Sequence, residues 1–485
     1  MKSVFYVLLG ALLLTGCAGK TDVRPDQLVF PELVFELPEV EHVELANGLQ
    51  LYMLADHELP LVDVTVTVGG GSIFDEHDKA GVSSLFATLL ETGGAGDRSP
   101  LQLEEELERM AAELSVGRSA YATTISLSLR SQDLQRGLAI LADLLRRPRF
   151  DPERLEVARN KIREGIRRRN DEPASVAGWA LARSVYGDHP FGRHATLETV
   201  ARIERDDLLN MHRRYFHPDN IWLSVAGDVA PETFRKQLEE VLGDWRAAGV
   251  VLPDPPPYTE PPESNRTIFV EKDVPQTTIL MGHRGIEKNN PDMYALRVAN
   301  FILGGGGFNS RMMREIRSNR GLAYSVYSYF EVGRRLPEMF VAGSETKCAS
   351  TIEVAGVMLD LIRQLREEPV SQEELELAKQ SLINSFVFAF DSSRAVVDRR
   401  VRIDYYGYPE GYLERYRERI AAVTIEDVQR VARTYLRPDQ MQIVLVGRSA
   451  EFDQDPTALG CPVEQVDPDG LQQSVCPGCT VTSEK

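Results

Sequence analysis

Zinc-assisted hydrolysis asks for two imidazoles one helical turn apart with a carboxylate beside them. The eight histidines of this sequence do not supply that spacing. His189 and His194 stand five apart, as do His212 and His217, while His42, His57, His77 and His283 are isolated. They read as turn and surface histidines. Cysteine is the other residue type able to do chemistry, and Cys461, Cys476 and Cys479 cluster near the end in GCPVEQVDPDG and VCPGCT. In an oxidising compartment these are expected to form a disulfide that staples the tail. A zinc knuckle would need a fourth ligand nearby, and the tail has no histidine. Which cysteines pair is left open by spacing alone.

The first 20 residues, MKSVFYVLLGALLLTGCAGK, place Lys2 before an apolar run too short to span a bilayer comfortably. The ending Leu14-Thr15-Gly16-Cys17 resembles a bacterial lipobox, which makes 1–17 a lipoprotein signal segment and implies cleavage that leaves Cys17 as an acylated N-terminus. A plain signal peptide with an incidental cysteine is the alternative. Each buried acyl methylene contributes about 0.8 kcal/mol, so several chains would hold the protein on a membrane. Ala18 rather than Asp follows the cysteine, and by resemblance to Gram-negative lipoprotein sorting this implies the periplasmic face of the outer membrane. A formal net charge of -18 argues against nucleic acid as a partner.

The scaffold that would carry any site is written twice. RRYFHPDNIWLSVAGDV at 213–229 matches RTYLRPDQMQIVLVGRS at 433–449, pairing Tyr215 with Tyr435, Pro218 with Pro438, Asp219 with Asp439 and Gly227 with Gly447 at an offset of 220. The same offset pairs Tyr186-Gly187 with Tyr406-Gly407 and Asp207 with Asp427, and aligns DPERLEVARNKI at 151 with SQEELELAKQSL at 371. One register held this far marks a duplicated domain. The Pro-rich stretch VLPDPPPYTEPPESN, 251–265, is a linker between a first half at 30–250 and a second at 266–450, with an acidic, Cys-containing tail at 451–485. Alternating apolar runs such as LPLVDVTVTVG, TTISLSLRS, TTILMGH and MQIVLVG predict strands. LQLEEELERMAAEL, LQRGLAILADLLRR and IEVAGVMLDLIRQLREE predict helices. The fold expected is α+β: two halves, each of antiparallel sheets with helices packed on one face.

AGVSSLFATLLETGGAG, 80–96, reads as a helix that stops at Gly93-Gly94. With YGDHPFGRHATLETVARIERDDLLNMHRRYFHPDN and FILGGGGFNSRMMREIRSNRGLAYSVYSYF, it resembles the pitrilysin family of inverted zinc peptidases over about residues 35–450. The resemblance implies the motif H-x-x-E-H on the helix that begins at Gly81, where two imidazoles hold Zn²⁺ and the glutamate activates water. This sequence has Ser84, Ala87 and Thr88 there, and Glu164 at the place of the third ligand. Neither hydroxyl is a serious zinc ligand, alanine cannot take a proton, and one carboxylate will not retain the metal. The helix is kept, and no cofactor is expected on this chain.

The resemblance further implies that a second-half Arg and Tyr, separated by six residues, contact the substrate backbone near the cleaved bond. RSNRGLAY supplies Arg317 and Tyr324 at that separation. A guanidinium and a phenol can both donate to a developing oxyanion. The other reading makes Arg317 a solvated helix residue and Tyr324 a packed strand residue. Gly304, Gly305, Gly306 and Gly307 are either a flexible helix end or, as in the non-catalytic subunit of mitochondrial processing peptidase, a loop that handles substrate. The basic run RLEVARNKIREGIRRRN reads as a solvated helix face. Together these features imply half an active site: a subunit that pairs with a zinc-bearing homologue into a clam-like chamber for peptides. A non-enzymatic peptide-binding or scaffold lipoprotein is the rival, and a stand-alone peptidase with an unrecognised metal site is a weaker one.

Overall fold

The architecture follows from a computed structural model that describes residues 36–258 and 262–467; the lipobox with Cys17, and Cys476 and Cys479, lie outside the described residues. The first half forms a six-stranded sheet from β1 (Glu41–Glu44), β2 (Gln50–Ala55), β3 (Leu61–Gly69), β4 (Glu113–Arg118), β5 (Ala122–Arg130) and β6 (Ile221–Gly227), in the order β1-β2-β6-β3-β5-β4. The second half supplies β7 (Arg266–Glu271), β8 (Gln276–Arg284), β9 (Ile286–Glu287), β10 (Ala323–Phe330), β11 (Val332–Gly333), β12 (Met339–Lys347), β13 (Gln442–Gly447) and β14 (Val463–Gln465). Its main sheet has the order β14-β7-β13-β8-β12-β10, with β9 and β11 as a separate pair. The expected α+β duplication is present.

Two details differ from expectation. The sheets are mixed rather than antiparallel, because β6 runs parallel to β2 and β13 parallel to β7. Each of these late strands arrives after a long helical excursion and inserts between two strands that are neighbours in sequence, and only a crossover of that length permits parallel entry. Helices also cover both faces of the sheets, not one. In the first half, helices Val82–Thr92, Leu134–Arg146 and Pro152–Arg167 enclose a core with Val64, Val66, Leu127 and Leu223. The opposite face, carrying Tyr52 and Ala226, is covered by Val397 and Val401 of the second half's helix Ser393–Tyr406.

The exchange is reciprocal. Helix Pro173–Tyr186 of the first half buries Val176, Ala177, Ala180 and Leu181 against Ile268, Val270, Val444 and Val446 of the second sheet. The two exchanged helices are the 220-residue repeat of each other, and Gly187 and Gly407 end them. Each fully buried Val or Leu contributes about 1.5–3 kcal/mol, so the halves are held together by core packing. Polar ties add to this packing: Tyr52 Oη donates to Asp404 at 2.9 Å, Ser224 Oγ to Asp398 at 2.6 Å, Ser184 Oγ to Gln442 at 2.6 Å, and Arg394 to Asp63 at 3.2 Å. Both halves belong to one unit that begins at Pro38.

The repeated polar residues sit at element ends. Asp207 and Asp427 close capping boxes on helices Arg205–Tyr215 and Ile425–Tyr435, and Asp151 and Ser371 cap helices Pro152–Arg167 and Gln372–Ser385. Such caps are worth about 1 kcal/mol each. The segment 101–114 is helical only to Met110; Ala111 turns left-handed at φ 48°, and Glu113–Arg118 pairs with β5 instead. Ladder pairing there outweighs helix propensity.

Several histidines are interior, not surface, residues. His189 and His283 are buried, with His189 Nε2 against the Pro256 carbonyl and His283 Nε2 accepting from the Arg437 N–H. Cys461 is buried with a free thiol beside Thr267 Oγ1 at 3.1 Å, and β14, just after it, joins the edge of the second sheet. Among the described residues no helix is long and apolar enough to cross a membrane.

Candidate functional site

Helix Val82–Thr92 places Ser84 and Thr88 one turn apart with Ala87 beside Thr88, and its start is held by Asp75. That carboxylate accepts from the N–H groups of Gly81 (3.1 Å) and Ser83 (3.4 Å) and from Ser83 Oγ (2.9 Å). Burial pushes the Asp75 carboxyl up to about 6 despite these bonds. Ser84 is half-buried and Ala87 buried without a donor atom, while Thr88 Oγ1 donates to the Ser84 carbonyl at 3.1 Å. Glu164 is exposed and ion-paired with Arg168 at 2.8 Å and Arg167 at 3.8 Å. One position lacks any ligand atom, one hydroxyl is spent on backbone, and the carboxylate is taken by arginines. This donor set does not fit zinc. No group of three or more His, Cys, Asp or Glu able to hold a metal ion occurs among the described residues.

Arg317 and Tyr324, by contrast, are brought together. Helix Met293–Asn300 runs into a π-helical turn at Phe301–Gly305, and a second π-helical segment, Met313–Asn319, carries Arg317. Wide turns of this kind recur at functional sites. The first of them depends on Gly304, where a Cβ would lie 2.6 Å from the Ser328 backbone nitrogen of β10. Asn300 locks the same contact, donating from Nδ2 to the Ser328 carbonyl at 3.0 Å and accepting from Ser328 Oγ at 2.8 Å. Gly304 is therefore a packing residue, whereas Gly305 and Gly307 are exposed at the turn that follows.

That turn delivers Phe308, a residue the sequence reading missed. Its ring is 65% exposed. The Arg317 guanidinium lies 4.5 Å from the Phe308 ring centroid and 4.4 Å from that of Tyr324, and Nη1 donates to the Tyr324 carbonyl at 3.0 Å. Two rings and one carbonyl thus orient a permanent cation while leaving most of its five donors free. Tyr324 is 80% exposed, so it does not pack as an ordinary strand residue. The only sequence signal for Phe308 was its place directly after the glycine run.

Tyr324 lies on β10, the edge strand of the second sheet. The ladder to β12 shifts register between Ala323 and Val326, so Tyr324 and Ser325 bulge outward. Tyr327 and Tyr329, each 40% exposed, stack farther along at 6.0 Å between centroids. An open edge with unpaired backbone groups and an aromatic face can accept an extended peptide as an added strand.

The Arg317 segment is anchored to helix Gln372–Ser385. Buried Arg311 donates from Nε and Nη2 to the two oxygens of Glu374 at 2.8 and 2.7 Å, and Arg314 adds a third bond at 3.3 Å. Burial alone would raise the Glu374 carboxyl, but the bonds from Arg311, Ser371 and Arg314 hold it at about 2. Replacing Glu374 with Gln should cost about 2–3 kcal/mol in urea denaturation at neutral pH. A folded value below the ordinary 4.5 means this stabilisation is present above about pH 4.5 and lost as pH falls toward 2. The gap between wild type and Glu374→Gln should narrow over that window, and a constant gap would show that the ion pair is not its source.

Comparison with known proteins identifies both halves. Residues 52–198 match the family model described as insulinase (peptidase family M16), and residues 202–382 match that of the peptidase M16 inactive domain. The chain is similar to the uncharacterized zinc protease YmxG of Bacillus subtilis, 25% identical over 397 residues covering 81% of this chain and 95% of the relative. It is also similar to a protein of Helicobacter pylori named non-peptidase homolog YmxG, 22% identical over 398 residues covering 81% and 90%. The crystal structure of a peptidase M16 inactive domain from Pseudomonas fluorescens superposes with a TM-score of 0.77 at 25% identity, covering 86% of this chain and all of that one. With both domain types matched in order, and the duplicated mixed sheets to go with them, the chain belongs to the M16 (pitrilysin/insulinase) peptidase family.

Proposed function

We propose that this chain is the non-zinc subunit of a heterodimeric M16 metalloendopeptidase. It supplies Arg317 and Tyr324 to a peptide whose hydrolysis takes place at the zinc centre of a homologous partner bearing H-x-x-E-H. The observation that carries this reading is the contrast within one molecule. The zinc positions have lost their donors, while Arg317 is oriented between Phe308 and Tyr324 with donors to spare. In this role the guanidinium and the phenolic O–H donate to the oxyanion that develops on the scissile carbonyl, and the β10 edge holds the flanking peptide backbone. The relative named a non-peptidase homologue supports a chain without cleavage activity of its own. Acylation at Cys17 and anchorage at the periplasmic face of the outer membrane belong to the same proposal.

Reconstitution tests it. The purified chain should bind no stoichiometric zinc and cut no peptide, and its mixture with a zinc-bearing homologue should do both. Zinc or cleavage in the isolated chain overturns the reading, and so does Cys17→Ser leaving the protein in the membrane fraction for the anchor. The exposed tyrosine edge of β10 favours a second reading, a peptide-binding scaffold. That one gains if the mixture binds peptide and never cleaves it.

A further inference from the structure

Beside the start of helix Val82–Thr92 the first half carries an open cavity of about 560 Å³. Three arginines line it, Arg118, Arg169 and Arg193, with His194, Trp179 and a single acid, Asp75. In a chain of net charge -18 this is a concentration of the opposite sign.

None of the three guanidiniums has a carboxylate within ion-pair distance among the described residues. Arg169 stacks on Trp179 at 4.2 Å and donates one N–H to the Ala195 carbonyl at 2.7 Å. Arg193 donates from Nε to the Asp188 carbonyl at 2.6 Å. The Arg118 side chain, exposed at the end of β4, makes no hydrogen bond or ion pair among the described residues. Burial disfavours the charge on both Arg169 and Arg193. Asp75 interacts electrostatically with Arg118 and Arg193, but it is one carboxylate against three guanidiniums, and one of its oxygens also serves the N–H groups of Gly81 and Ser83. His194 Nε2 is buried without a hydrogen-bond partner, and burial keeps its imidazole neutral. A buried polar atom left unpaired calls for a partner, and three guanidiniums facing one carboxylate leave an excess of positive charge that a bound anion would offset.

The volume falls within the range of small-molecule sites and exceeds what a simple inorganic anion fills. The indole of Trp179 and the Phe191 ring give the wall an apolar part beside its cations. Guanidinium forks match the two oxygens of a carboxylate. We propose that this cavity is a binding site for a small organic carboxylate, with Arg118, Arg169 and Arg193 receiving the carboxylate and Trp179 its apolar body. Two sources share that chemistry, the free C-terminus of a short peptide and a non-peptide organic acid. Ser84 also lines this cavity, so the site adjoins the degenerate zinc position, and its binding test needs no partner chain.

Calorimetric titration of the isolated chain with an Ala-Ala-Phe tripeptide, its C-terminal amide, 3-phenylpropionate and inorganic phosphate tests this. The free acid should bind and the amide should bind at least tenfold more weakly. Binding of 3-phenylpropionate as well assigns the organic-acid source, and its failure assigns the peptide source. Arg118→Gln and Arg193→Gln should each weaken carboxylate binding about tenfold or more, equivalent to about 1.4 kcal/mol. Among the described residues the Arg118 side chain makes no hydrogen bond or ion pair and interacts only at longer range with Asp75, so the thermal midpoint of its variant should change little and the binding loss is not a folding defect. Failure of both carboxylates to bind, phosphate binding alone, equal affinity for acid and amide, or indifference to Arg118→Gln would each overturn the proposal.

Discussion

In the assembled pair, Arg317→Ala is expected to lower kcat for peptide cleavage by about 10²–10³-fold, the usual loss when one preorganised oxyanion donor is removed. The two chains should still associate, because the Arg317 side chain contacts Phe308 and the neighbouring Tyr324 within its own chain. KM should change less than kcat, since a donor aimed at developing charge acts in the transition state rather than in binding. Arg317→Lys should rescue little, because an ammonium cannot lie flat between two rings or present a fork of donors. Tyr324→Phe should produce a smaller fall while leaving the ring stack intact. Wild-type turnover in Arg317→Ala, measured with a fluorogenic peptide at equal partner occupancy, would remove Arg317 from the chemistry. A change confined to KM would reassign it to ground-state binding.

The largest stability loss should come from Gly227→Ala. Gly227 ends β6 with φ +120°, a region closed to residues with a Cβ, and the added carbon would run into the Leu61 carbonyl oxygen of the adjacent strand. The obstacle is backbone in a strand paired on both sides, so relief requires moving β3 or breaking the bond from the Asp56 N–H to the Gly227 carbonyl at 2.8 Å. A cost of about 4 kcal/mol or more is expected, enough to deplete the folded state of a marginally stable domain. The repeat partner provides the control. Gly447 does not need a positive φ, and a Cβ there would meet the Thr277 side chain, whose Cβ lies 3.0 Å away. Gly447→Ala should therefore cost less, about 1–3 kcal/mol. Urea denaturation of both variants checks the ordering, and equal losses would refute the assigned cause.

The offset of 220 was legible because it is written in residues that punctuate elements. Asp207 and Asp427 close capping boxes, and Gly187 and Gly407 end the exchanged helices. Such roles depend on a few neighbouring residues, so they survive translation along the chain as recognisable letters. The strand runs were legible for the same reason. Where the reading went astray, a distant partner decided the outcome. Residues 113 and 114 carry helical pattern but pair with β5, and the interior histidines answer to carbonyls and N–H groups far away in sequence, such as Leu145 for His212 and Arg437 for His283. Parallel entry of β6 and β13 likewise depends on where a long excursion returns.

The amino-acid sequence by itself determined the duplication, the loss of ligand chemistry at Ser84, Ala87 and Thr88, and the presence of Arg317 and Tyr324. Each of these is a matter of residue identity at a countable spacing. Only the tertiary structure decided that Phe308 completes the Arg317 stack, that each half lends a helix to the other's sheet, and that Arg118, Arg169 and Arg193 share one cavity. The exchanged helices and the cavity join residues separated by long stretches of chain, and the Phe308 stack, though close in sequence, depends on how the intervening turns pack against β10. Packing brings such residues together through the sum of many weak contacts, none of which leaves a mark in the local order of side chains.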